Sequence, residues 1–199
     1  MAVIDAGEEA QQPSPDVLKK LEIAKEKKDA GDQAFKTGDL KSALRSYHES
    51  LLYLKGIDKN ALSPIAAATA SPIDGTAPQK QKTEADEIME KIYSNMSACH
   101  LKQGNWKRAI ETADKALATN EANYKALFRK AKALGETGYF EKAEKILEDL
   151  LKKNEADAPA INAELARLRA MDKEREKAHN QKFKGFLNKE KSLAVESDE

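Results

Sequence analysis

The chain has 199 residues, with 34 Lys and Arg against 34 Asp and Glu, so no overall field favours nucleic acid and any charge that matters is local. Charged residues make up 34% and aromatics 6%, with Ala, Leu, Lys and Glu abundant, a composition that favours helix and offers little for a sheet. One cysteine, Cys99, leaves no internal disulfide, and the start MAVIDAGEEA has no basic stretch leading into an apolar run. The longest uncharged segment, Ala61 to Ile73, contains Pro64 and Pro72, so the sequence predicts a cytoplasmic protein with no membrane span.

Residues 1–13 are predicted to be disordered. Ser14 followed by Pro15 is a helix start, with Ser14 as N-cap and Pro15 in the first turn, and the helix runs to about Thr37. Within it GDQAF, Gly31 to Phe35, places a glycine where a neighbouring helix approaches closely. GDLKSALRSYHESL then begins a second helix. The stretch of about 57–83 carries Pro64, Pro72, Pro78 and Gly75 among Ala, Ser and Thr, and reads as a flexible insertion.

Downstream the chain repeats itself. In GNWKRAIETADKAL and GYFEKAEKILEDLL, Gly104 aligns with Gly138, Trp106 with Phe140 and Ala109 with Ala143, each 34 residues apart. Gly38, Leu40 and Ala43 precede Gly104, Trp106 and Ala109 by 66, so the first copy is followed by extra chain. Each unit reads as a helix ending near the glycine, a turn, and a second helix packing back antiparallel with its alanine at the close crossing.

Three aligned copies of this pattern over about Ala24 to Asp157 resemble the tetratricopeptide repeat family. The resemblance implies an all-α fold of three helix-pair repeats, about 24–57, 90–123 and 124–157, forming a right-handed solenoid within a domain of 14–157. Ser50 stands in place of a usual alanine, and Ser97 and Ala131 where a glycine is common. From Ala158, Ile161, Leu165, Leu168 and Met171 recur at helix spacing and predict a long C-terminal helix, 158–191, that caps the array. Its end, KEREKAHNQKFKGFLNKEK, is basic, with Phe183, Phe186 and Leu187 apolar. It fits a solvated extension, and basic amphipathic helices also bind calmodulin or membrane surfaces. Residues 192–199 read as a disordered acidic tail.

In stacked repeats the first helix of each pair lines the concave face, and on those helices lie Lys28 and Asp32, Asn95, and Lys125 and Arg129, the last two sharing a face at a spacing of four. The set is similar to the carboxylate clamp of co-chaperones that grip the C-terminal Glu-Glu-Val-Asp peptide of a heat-shock chaperone. Lys28, Asn95, Lys125 and Arg129 match that clamp by type and position, while Asp32 stands where the family has an asparagine. The resemblance further implies an apolar pocket from Phe35, Ala98 and Leu101 for the penultimate valine, and a contact from Lys102 to an upstream glutamate. The implied partner is that peptide, from heat-shock protein 90 in preference to 70. The three-repeat plan with a long first loop is also similar to the tetratricopeptide repeat protein nine family and to the repeat domains of immunophilins.

Because aspartate accepts where asparagine donates, Asp32 opposes a ligand carboxylate, and Lys28 one turn before it is placed to bridge to it. The alternative reading is therefore a scaffold of the same fold that binds a different segment. His48, His100 and His179 lie far apart in sequence, and Cys99 and His100, being adjacent, point to different helix faces. With no phosphate-binding glycine motif and no metal-ligand spacing, the sequence predicts no enzyme activity, no cofactor and no metal.

Overall fold

A computed structural model describes residues 14–57 and 82–196, with side-chain surroundings up to 185. The expected disorder of residues 1–13, most of the insertion with its prolines, and the last residues of the tail lie outside the described residues. Among the described residues all regular structure is helical: α1 Pro15–Lys36, α2 Leu40–Lys55, α3 Glu84–Lys102, α4 Trp106–Thr119, α5 Tyr124–Glu136, α6 Phe140–Lys153, a 3-10 turn Glu155–Asp157, and α7 Ala158–Glu196. This is the all-α, helix-pair fold expected. The chain divides into two compact units, one ending at Ala126 and one beginning at Leu127.

In the first unit the turns follow from dipeptides. Gly38 and Gly104 adopt φ of 86° and 70°, in the left-handed region where a side chain is disfavoured. Gly104 N donates to Leu101 O at 3.1 Å and Asn105 N to His100 O at 2.9 Å, closing α3 as a Schellman motif. The residue after each glycine then starts the next helix: the side chain of Asp39 accepts from Ser42 N at 3.0 Å, and that of Asn105 from Arg108 N at 3.3 Å. Ser14 does occupy the N-cap of α1, but its side chain makes no capping bond. Its carbonyl oxygen instead accepts from Val17 N and Leu18 N.

α1 and α2 pack antiparallel, so that Lys20 near the start of α1 donates to Gly56 O just past α2 at 3.1 Å. Val17, Leu21 and Ala24 of α1, Tyr47, Leu51 and Leu54 of α2, and Ile88, Ile92 and Met96 of α3 form one buried core. Each large apolar side chain so buried contributes about 1.5–3 kcal/mol. Ala43 and Ala109 are fully buried at the helix crossings, as their repeat positions predict. Two departures from the repeat pattern also gain an explanation. Ser50 Oγ donates to Ala24 O at 2.6 Å and Ser97 Oγ to Ala109 O at 2.9 Å, each tying one helix of a pair to the other.

The second pair starts earlier than the expected 90. Thr83 and Asp86 form a capping box that begins α3 at Glu84, lengthening it by more than a turn. At the near end of the insertion Ile57 is buried in the core, and at the far end Lys82 reaches Glu90 at 3.3 Å. Glu90, itself buried, also accepts from Asn120 Nδ2 at 2.7 Å and Asn123 Nδ2 at 2.9 Å, and Asn123 in turn accepts from Ala126 N to cap α5.

In the second unit Ala131, Ala133, Ala143, Leu147 and Leu150 are buried together with Ile161, Leu165 and Leu168 of α7, the stripe read as a cap. Gly135 is there because Leu168 fills the space a side chain would need. Polar contacts fix the register of α7: Arg169 pairs with Glu144 at 2.6 Å, Arg167 Nη1 donates to Glu136 at 2.7 Å, and Arg175 Nη1 donates to Gly138 O at 2.8 Å. The helix does not stop at 191. It runs through Ser192 to Glu196, correcting the expected disordered tail over those residues, because no glycine or proline breaks it there and Leu193, Ala194 and Glu196 are good helix formers. Residues 172–185 of it are exposed. Among the described residues no helix is long and apolar enough to cross a membrane.

Candidate peptide-binding site

The first helices of the first two pairs meet at Asp32. Lys28, one turn earlier on α1, donates its ammonium to Asp32 Oδ2 at 2.7 Å and to Asp29 Oδ1 at 3.1 Å. Asp32 Oδ1 accepts from Tyr47 Oη of α2 at 2.6 Å and from Asn95 Nδ2 of α3 at 2.9 Å. One carboxylate therefore joins three helices, and both of its oxygens are engaged. The Lys28 and Asp32 side chains remain 20% and 28% exposed, so the cluster faces solvent without being open to it on all sides.

The electrostatics follow from that packing. Burial works against a charge on Asp32, but the hydrogen bonds from Lys28 and Tyr47, the Lys28 charge and the Asn95 amide together outweigh it and hold the carboxyl below its ordinary value of 3.8. Burial likewise disfavours the Lys28 ammonium, and the hydrogen bonds to Asp32 and Asp29 more than compensate, raising it. Burial and then the bond to Asp32 push the Tyr47 phenol upward, so Tyr47 is a fixed donor at neutral pH.

One turn beyond Asp32, Phe35 is half-buried and the Lys102 ammonium of α3 sits over its ring, 4.4 Å from the centroid. Ala98 and Leu101 are half-buried on α3 between Asn95 and Lys102. Lys28, Asp32 and Asn95 are thus brought together, and Phe35 meets Lys102. Lys125 is exposed at the start of α5 in the first unit, and Arg129 is half-buried in the second. Sequence reasoning missed Tyr47. Its signal was its register with Ala43, which puts it on the buried face of α2, where a phenol needs a partner.

A sequence profile described as "Tetratricopeptide repeat" matches residues 100–170. The C-terminal repeat-containing domain of a Plasmodium falciparum FK506-binding protein superposes with a TM-score of 0.64 at 21% identity, covering 81% of this chain and 95% of that one. The Hsp90 co-chaperone Cns1 of Saccharomyces cerevisiae gives 0.65 at 23% identity, over 89% of this chain and 48% of Cns1. The TPR2B domain of yeast Sti1, solved in a complex with pHsp70, gives 0.56 at 17% identity, over 75% and 98%. The chain therefore has the fold of tetratricopeptide-repeat domains, and its residues 100–170 match the sequence pattern of the repeat. A segment of 57 residues is 42% identical to human zinc finger CCCH domain-containing protein 7A, spanning 29% of this chain and 6% of that protein.

Proposed function

We propose that this protein is a non-catalytic interaction adaptor that holds a short extended segment of a partner protein along the face where Lys28, Asp32 and Asn95 converge. The observation that supports it is the junction itself: polar side chains from the first helices of two repeats meet at a half-exposed point, with the Phe35 and Lys102 pair one turn away. A polar cluster left accessible to solvent at the junction of two repeats fits a peptide groove.

The ligand that the resemblance implies is the Glu-Glu-Val-Asp tail of a heat-shock chaperone, of the 90 kind before the 70 kind, read by Lys28, Asn95, Lys125 and Arg129 in a cytoplasmic setting. Such a tail brings two carboxylates, which lysine and arginine satisfy through charge-assisted hydrogen bonds worth about 1.5–3 kcal/mol each. The fold likeness to Hsp90 and Hsp70 co-chaperone domains is consistent with that class of partner.

A second reading, a partner segment of different chemistry, is favoured by Asp32. The lysine and asparagine that the clamp requires already donate to this carboxylate. A ligand carboxylate brought to about 4 Å from it would meet a repulsion of about 4 kcal/mol at an effective dielectric of about 20.

Calorimetric titration of the protein with Met-Glu-Glu-Val-Asp, its C-terminally amidated form, and an Arg129→Ala variant separates the two. Binding that disappears in both controls supports the chaperone tail. Equal binding of the acid and the amide removes the clamp and leaves the adaptor reading with another ligand.

A further inference from the structure

The charge at the junction is the reverse of what a carboxylate receptor needs. Among the described residues Lys28 is the one cation in hydrogen-bond contact with it, and its ammonium is shared between two carboxylates, Asp29 at 3.1 Å and Asp32 at 2.7 Å, so these three side chains together carry a formal charge of −1. The neutral donors are committed as well, Tyr47 at 2.6 Å and Asn95 at 2.9 Å, both to Asp32 Oδ1. An ionised carboxylate has about four acceptor sites, and Asp32 fills three while its side chain stays 28% exposed. What this corner offers an incoming group is an acceptor.

The opposite pole lies along the same two helices. Lys102 is exposed and rests on Phe35, bridging α3 to α1 as the Asn95 to Asp32 bond does. Asn95 and Lys102 are seven residues apart on one helix face, a rise of about 10 Å. Extended peptide advances about 3.3 Å per residue, so side chains two or three residues apart span the two poles.

We infer that the groove of the first unit is bipolar and takes a segment with a hydrogen-bond donor, a Lys or Arg side chain or an amide, against Asp32, together with an acidic side chain two or three residues away at Lys102, in preference to a chain-terminal carboxylate. This rests on the adaptor reading and deepens it. Asp32 is the specificity-determining residue: it takes the Lys28 and Asn95 donors that a ligand's carboxylate would need and converts the receptor from anion-seeking to donor-seeking. Specificity of this kind comes as much from repelling the wrong ligand as from holding the right one.

The test uses two defined peptides titrated into the whole protein: acetyl-Met-Glu-Glu-Val-Lys-amide and Met-Glu-Glu-Val-Asp with its free carboxylate. The wild-type protein is expected to bind the lysine amide at least about tenfold more tightly, and Asp32→Asn to lose or reverse that preference. Lys102→Gln, outside the Asp32 network, is expected to weaken the lysine amide by about threefold or more, through the loss of its acid partner. A wild-type preference for the free acid, or a preference that Asp32→Asn leaves unchanged, overturns the bipolar groove while the adaptor stands. If neither peptide binds wild-type or Asp32→Asn protein with unaltered circular dichroism, the adaptor reading itself fails, and the inference with it.

Discussion

Gly31 of α1 and Tyr47 of α2 occupy adjoining space so closely that a Cβ built on the glycine stands 2.6 Å from Tyr47 Cε1 and 2.7 Å from Cδ1. Tyr47 is fully buried, so its ring has no open side to move into. Gly31→Ala is therefore expected to destabilise the protein by about 1–3 kcal/mol, although alanine is the better helix former, because overpacking outweighs propensity. Urea unfolding measures the change. In a double-mutant cycle with Tyr47→Leu the two effects should fall short of additive; strict additivity would mean that the ring is not what Gly31 accommodates.

Tyr47 also holds Asp32, and the phenol can be removed while the ring stays. Tyr47→Phe leaves the contact with Gly31 and deletes the donor at 2.6 Å. The expected cost is about 0.5–1.5 kcal/mol, the net value of one hydrogen bond. A second effect is specific to the site. With one of the bonds that favour its ionised form gone, Asp32 should titrate at higher pH than in the wild type, visible in the pH dependence of its carboxyl carbon resonance. An unmoved Asp32 titration would show that Lys28 and Asn95 alone set its charge.

The repeat frame was legible in the sequence because it is written in backbone requirements: Gly104 and Gly138 end helices with φ of 70° and 84°, and Ala43, Ala109 and Ala143 fill crossings with room for little else. The bridge from Lys28 to Asp32 was legible too, since four residues along a helix fix which side chains meet. The bonds to Asp32 from Tyr47 and Asn95 were not. They cross between helices, over 15 and 63 positions of chain, and depend on packing register that no local pattern specifies. The sequence raised the conflict between Asp32 and a carboxylate ligand, but not that Asn95, one of the four residues matching the clamp, is bonded to that same aspartate.

A pH dependence follows from the histidines of the first unit. His100 is buried, with a ring nitrogen, Nδ1, lacking a hydrogen-bond partner among the described residues. Burial holds it below its ordinary value of 6.5, with Arg108 and His48 acting in the same direction and Gln103 and Glu111 partly opposing. His48, although exposed, is lowered by partial desolvation and by the charges of Arg108, Lys115 and Lys55. For a depressed group the unfolded chain binds more protons in the window below 6.5, so stability is present above that value and is lost as pH falls. Unfolding free energy should drop between about pH 7.5 and about pH 5.5, a range above the titration of Asp32 with its ordinary value of 3.8, and His100→Gln should flatten the drop. A wild-type profile flat over that range would refute the assignment.

In the second unit the attachment of α7 depends on a carboxylate that is buried with its partner half in solvent. The Glu164 side chain is 8% exposed and pairs closely with Arg167, which also reaches Glu136 at 2.7 Å, while Lys132 approaches Glu164 only to 4.0 Å. Arg167→Ala strands Glu164 among Ile161, Leu165 and Leu168 with that distant lysine as its nearest cation among the described residues. Breaking a fully buried pair costs about 3–5 kcal/mol, and with Arg167 at 37% exposure the expected loss is smaller, about 1–3 kcal/mol. Replacing the carboxylate as well tests the mechanism. If an unpaired buried charge is the cause, Arg167→Ala with Glu164→Leu should be more stable than Arg167→Ala alone, since the apolar side chain joins the stripe that packs α7. Equal instability of the single and double variants in urea unfolding would mean instead that Arg167 acts through its contact with Glu136, and that Glu164 is passive in holding the helix.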